Sequence, residues 1–189
     1  MLVIGNGESR KKININNILD EKIGCNALHR DYIVDHLICV DKKMVQEALP
    51  TPNKIYTRPE WIDKFRSYEN VHLVPELPYK GKTRPDEPFQ WGSGPYAVLL
   101  GALLEDYVSM IGFDLYSDTA TVNNVYKGTQ NYDADNKRPV DPSYWIHQIG
   151  KVFECFPKTE FTIYQKDTWK MPETWIRENV LLDSISKIS

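Results

Sequence analysis

Short apolar runs, too brief for helices, recur along the whole chain and constrain its fold more than any other feature. Residues 2–4, 23–25, 36–40, 54–56, 71–74, 107–111, 161–164 and 180–182 all read as strands. Several are rich in Val, Ile and Leu without strict alternation, the pattern of strands covered on both faces. Helical segments fall between them. Residues 41–49 form a helix stopped by Pro50, and residues 59–66 a short one that starts at Pro59. The stretch SGPYAVLLGALLE reads as a helix with Ser93 as N-cap and Pro95 in the first turn; it is apolar almost all round and therefore buried. In VDPSYWIHQIGKVFECF, Asp141 caps and Pro142 starts a second helix, with Trp145, Ile149, Val152, Phe153 and Phe156 in one stripe. Strands alternating with helices imply a Rossmann-like three-layer α/β/α sandwich around a mostly parallel, doubly wound sheet. No repeat is visible, and 189 residues suit one such domain.

Residues 75–92 and 117–140 do not fit this alternation. Both are long, polar and dense in Pro, Gly, Asn and Asp, and loops of that length in a compact domain usually carry function. Each follows a strand, so both are expected at the carboxyl edge of the sheet, where open α/β proteins bind ligands.

A net charge of -3 supplies no basic field for nucleic acid. Cys25, Cys39 and Cys155 are widely spaced, with no CxxC pair, so reduced, mostly buried thiols in a cytoplasmic protein are expected rather than a disulfide framework or zinc site. The longest apolar stretch, 96–104, is too short to span a bilayer. The first strand begins at Leu2, leaving no room for a secretory leader.

Three segments carry chemistry. The first, GNGES, follows the first strand: Gly5 and Gly7 let the backbone approach a ligand, and Asn6 can both donate and accept. Arg10 stands three positions after Gly7, so this is not the dinucleotide fingerprint. The second, WGSGP, opens the buried helix, where Ser93 and Gly94 offer a hydroxyl and free amides to an anion. The third, IGFDLYS, ends a strand with Asp114 and Tyr116, an acid for a sugar hydroxyl and a phenol.

The pairing of VIGNGES with GSGPYAVLLGALLEDYVSMIGFDLYS resembles the small bacterial sialyltransferases, as does the Cys25-Asn26 pair in the second strand region. Related turns occur in pterin pyrophosphokinase-like proteins and in phage-encoded proteins. The resemblance implies a nucleotide-activated donor of CMP type, a sugar transferred without a metal, and no resident cofactor. Carried over, Asn6, Gly7 and Ser9 would line the nucleotide, Asn26 would face the donor, and Ser93 and Gly94 would hold sugar or phosphate. Asp114 would contact the ribose, and Tyr116 would hydrogen-bond the departing phosphate.

The chain also departs from that pattern. The family's catalytic histidine precedes the helix after the long loop, where this chain reads NKRPVDPSY. His147 lies inside the helix, off the apolar stripe and beside Lys151 and Glu154, which reads as a solvent face. Candidates for the base are thus Asp114, Asp141 and His147. The family's second tyrosine falls on Val122, so Tyr126 or Tyr132 could replace it only if the loop folds back. Asp133-Ala134-Asp135 reads as a solvated turn rather than a metal pair, and Gly81-Lys82-Thr83 lacks the earlier glycine of a phosphate loop. Lys80, Lys82, Arg84, Lys127 and Arg138 concentrate positive charge in the two loops. Two other readings stay open: nucleotide-dependent pyrophosphoryl transfer, and a non-catalytic binding or assembly module, self-associating through its tryptophans.

Overall fold

The computed structural model describes residues 1–188. Eight strands form one sheet: β1 (Leu2–Ile4), β2 (Lys22–Cys25), β3 (His36–Ile38), β4 (Lys54–Thr57), β5 (Val71–Leu73), β6 (Tyr107–Ile111), β7 (Glu160–Gln165) and β8 (Val180–Ser184). Their order is β5-β4-β3-β2-β1-β6-β7-β8, and every neighbouring pair is parallel. All eight expected strands are present, in a sheet that is entirely rather than mostly parallel.

Central position follows from residue type. Leu2, Val3 and Ile4 are wholly buried, each face of β1 serving a different core. Val3 lies between Ile23 and Met110 in register and joins the core under the helices α3 (Ser93–Leu104) and α4 (Ser143–Cys155). Leu2 and Ile4 join the opposite core, with Leu37, Ile55 and Ile111. Each such side chain, fully buried, contributes about 1.5–3 kcal/mol. The α3–α4 layer closes on aromatics: the Phe153 ring sits 4.6 Å from Phe161 and 5.3 Å, edge-on, from Trp175.

The other face is covered more sparsely. It carries α1 (Lys42–Ala48), the short α2 (Pro59–Ile62) and several 3₁₀ turns, including Glu8–Lys12 and Asn26–Arg30. The expected 59–66 helix is therefore one α-turn that passes into a 3₁₀ turn at Asp63–Phe65. Two capping expectations change as well. Gly92, not Ser93, is the N-cap of α3. Pro142 is the N-cap of α4, while Asp141 accepts the Ser143 N–H at 2.9 Å. Among the described residues no helix is long and apolar enough to cross a membrane.

Candidate functional site

The strand order reverses between β1 and β6, opening the crevice at which doubly wound sheets bind ligands. Two turns meet there. Gly5 N–H donates to the Ile111 carbonyl and Gly7 N–H to the Gly112 carbonyl, both at 2.8 Å. A side chain at position 5 would collide with the Gly112 carbonyl, and Gly112 itself sits at φ +70°. The glycines thus let two backbones touch.

Asp114 braces this junction. Its carboxylate accepts the Ser9 N–H at 2.9 Å, the Ser9 hydroxyl, and the Gln165 amide at 3.0 Å. Glu8 N–H is taken by the Asn123 side chain at 2.8 Å. The amides of Gly5, Gly7, Glu8 and Ser9 are all used inside the protein, so these four hold β1 to β6 and are not offered to a phosphate. Ser9 lies buried beneath the crevice rather than lining it. Three donors also occupy Asp114, which leaves it poorly placed to act as a base.

Above the junction lies a cleft of about 520 Å³ whose walls include Gly5, Gly7, Asn6, Asn26, Ser93, Gly94, Asp114 and Tyr116. Asn6 donates through Nδ2 to the Cys25 carbonyl at 3.1 Å and to the Tyr132 hydroxyl at 3.2 Å. Since Cys25 O can only accept, the orientation of the amide is determined, and Asn6 Oδ1 is left as a buried acceptor with no partner. Such an orphan costs about 1–3 kcal/mol until a donor reaches it.

Asn26 ends β2 in the left-handed region, at φ 49°. Its Oδ1 accepts the Ser93 hydroxyl at 2.7 Å, and Ser93 Oγ in turn accepts the Val40 N–H at 3.2 Å. Ser93 is therefore a strut tying α3 to β2 and β3. Among the described residues nothing pairs with Asn26 Nδ2 or with the N–H groups of Ser93 and Gly94. Pro95 has no N–H, and Tyr96 N–H returns to Gly92 O at 3.3 Å. Free amides at the positive end of a twelve-residue helix thus line the same cleft as Asn6.

Tyr116 is 40% accessible, with a hydroxyl that bonds to none of the described residues. Leu115 beside it is forced to φ 59°. Asn26 and Leu115 are two of the three non-glycine residues at positive φ among the described residues, and backbone strain of this kind collects at binding sites. The Cys25 thiol in the cleft wall is pushed up to about 12 by burial, against the pull of Arg10, and stays a neutral thiol.

His147 stands elsewhere. Its Nε2 lies 2.6 Å from Asp86 Oδ1, so it faces the 75–92 loop rather than the cleft while staying partly exposed to solvent. Asp86 also accepts from Tyr79 OH, Lys82 N, Thr83 N and Thr83 Oγ1. Burial alone would raise its carboxyl, but bonds from His147, Thr83 and Tyr79 hold it well below the usual carboxylate range. The Gly81-Lys82-Thr83 segment is thus the rim of an aspartate-centred turn. Of the 75–92 loop only Gln90, Trp91 and Gly92 reach the cleft, and Lys80, Lys82 and Arg84 do not.

The 117–140 loop does fold back. Val125 N–H bonds to the Asn6 carbonyl at 2.8 Å, bringing Tyr132, Asn123 and Lys127 to the cleft wall. Tyr132 is pushed up to about 12, chiefly by burial. Tyr126 goes underneath instead, donating to Asp31 at 2.6 Å and accepting from the buried Arg10 at 3.1 Å. Asp133 pairs with Lys137 at 2.6 Å, as a solvated turn would, although it also borders the cleft. Sequence reasoning missed Arg10, Asp31 and Gln148. Gln148 had a signal, a polar residue on the apolar stripe of α4; it is fully buried and bonds to the Pro85 and Gln90 carbonyls.

The chain matches no family model, and no curated protein or solved structure is significantly similar to it.

Proposed function

We propose that the cleft binds a nucleotide-activated sugar and that the protein transfers the sugar to an acceptor without a metal, as sialyltransferases do. One observation carries the reading: the free amides of Ser93 and Gly94, at the positive end of α3, line one cleft with Asn6, whose buried Oδ1 has no partner. The ligand that fits has a hydrogen-bond donor at one point and an anion at another, as a nucleotide-sugar does. A cleft of about 520 Å³ suits such a molecule. The preference for CMP rests on the resemblance of the 5–9, 93–94 and 112–117 segments.

In the transfer, the bond from the anomeric carbon to the phosphate oxygen breaks, and the electron pair leaves with the phosphate. The α3 amides and the Tyr116 hydroxyl neutralise the growing charge. The acceptor's hydroxyl oxygen bonds to the anomeric carbon and releases its proton to water at the open mouth of the cleft. Asp114 and His147, engaged with Ser9, Gln165 and Asp86, take no part in that proton transfer.

The test is a thermal-shift and calorimetric panel of CMP, UDP, GDP and ATP, followed by release of CMP from a CMP-sugar. CMP is expected to raise the melting temperature. Asn6→Ala should weaken CMP binding about tenfold, the equivalent of one buried hydrogen bond. Tyr116→Phe should lower turnover about 10²–10³-fold while leaving CMP binding nearly intact. No shift with any nucleotide ends this reading. A strict magnesium requirement points instead to pyrophosphoryl transfer. CMP binding with no turnover supports a binding protein, a second reading favoured by the engagement of both Asp114 and His147.

A further inference from the structure

A second cavity, of about 370 Å³, opens at the carboxyl ends of β6 and β7. Tyr116, Asn123 and Asp114 line both cavities, so the two adjoin one another. Its far wall is Trp169, with Lys166, Thr168 and Lys170 around it. The Trp169 indole N–H donates to the Asp114 carbonyl at 2.7 Å, which locks the ring plane, and the Tyr116 ring centre lies 6.5 Å away. Two adjacent aromatic faces suit the apolar C–H face of a sugar ring.

Charge narrows the choice of sugar. The Asp114 carboxylate is turned inward to Ser9 and Gln165. What the cavity mouth presents is Lys166, Lys170 and Asp118. Lys166 lies 3.4 Å from Asp118, a contact between exposed groups that water weakens, and Lys170 forms no ion pair among the described residues. The balance at the mouth is positive.

We infer that this cavity is a subsite for an acidic, carboxylate-bearing saccharide, held by Trp169 and Tyr116 and by the two lysines. The inference rests on the donor reading of the larger cleft in one respect: there the saccharide is the acceptor, placed against the sugar being transferred.

Ligand-observed NMR on the full chain, with and without saturating CMP, tests it with glucuronate and glucose, which share a ring and differ at one carboxylate. Glucuronate is expected to bind at least fivefold more tightly than glucose. Lys166→Ala and Lys170→Ala, both at exposed positions, should each erase most of that preference and leave CMP binding unchanged. Trp169→Phe should retain binding of both sugars better than Trp169→Ala. Equal binding of glucuronate and glucose, or a preference indifferent to both lysine variants, overturns the subsite even where CMP binds. Lysine-dependent glucuronate binding in a protein that ignores CMP upholds the acidic-saccharide site and removes the donor reading alone.

Discussion

The 75–92 and 117–140 loops are both long and polar, and they do opposite things. The first is organised from within, around one buried carboxylate. Asp86 gathers Lys82 N, Thr83 and Tyr79 from its own loop and a single outside partner, His147. The second has no such centre and is held by distant groups: Asn6 O, Arg10 and Asp31, and the Arg30–Glu47 pair reached through Thr129, Gln130 and Asn131. A loop centred on its own carboxylate and tied down by Gln148 at its far end borders the cleft only at Gln90–Gly92, whereas a loop fastened across the sheet edge becomes its wall.

The sharpest way to break that contrast is Asp86→Ala. It orphans several donors at once and is expected to destabilise the protein by about 3 kcal/mol in urea unfolding, with CMP binding little changed. A large loss of CMP affinity would mean that the Asp86 turn, and not only Gln90–Gly92, supports the site.

The same residue supplies a pH dependence. The folded Asp86 carboxyl is held below its ordinary value of 3.8. Its contribution is therefore fully present above that pH and is lost as the pH falls below it. Wild-type stability should drop through this acid range, and the drop should shrink in Asp86→Asn.

Tyr126→Phe tests the other loop. It removes a bond to Asp31 and leaves the buried Arg10 one acceptor short, at a cost of about 2 kcal/mol. Limited proteolysis should then cut within 117–140, and CMP should bind several-fold more weakly. Unchanged protease resistance would show that the fastening does not depend on this phenol. Glu47→Gln, at a bidentate and largely buried ion pair with Arg30, should cost about 1 kcal/mol. A larger effect would place the anchor at Arg30 rather than at Tyr126.

Strand positions were legible because an unbroken run of Leu, Val and Ile has one stable home, a sheet covered on both faces. The approximate position of the cleft was legible too, since glycine turns and a serine-started helix follow strands on one edge. The roles of Asp114, Ser93 and His147 were not. Asp114 answers to Ser9, 105 residues away, and His147 to Asp86, 61 residues away. No local pattern carries such a pairing.

By itself, then, the sequence determined the eight strands and the edge at which the cleft opens, because burial preference belongs to each residue type. Only the tertiary structure decided which polar groups at that edge are free. A hydrogen bond has one occupant, and the occupant comes from elsewhere in the chain. Asn6 Oδ1 is left open and Asp114 is filled for no reason other than what folded next to each.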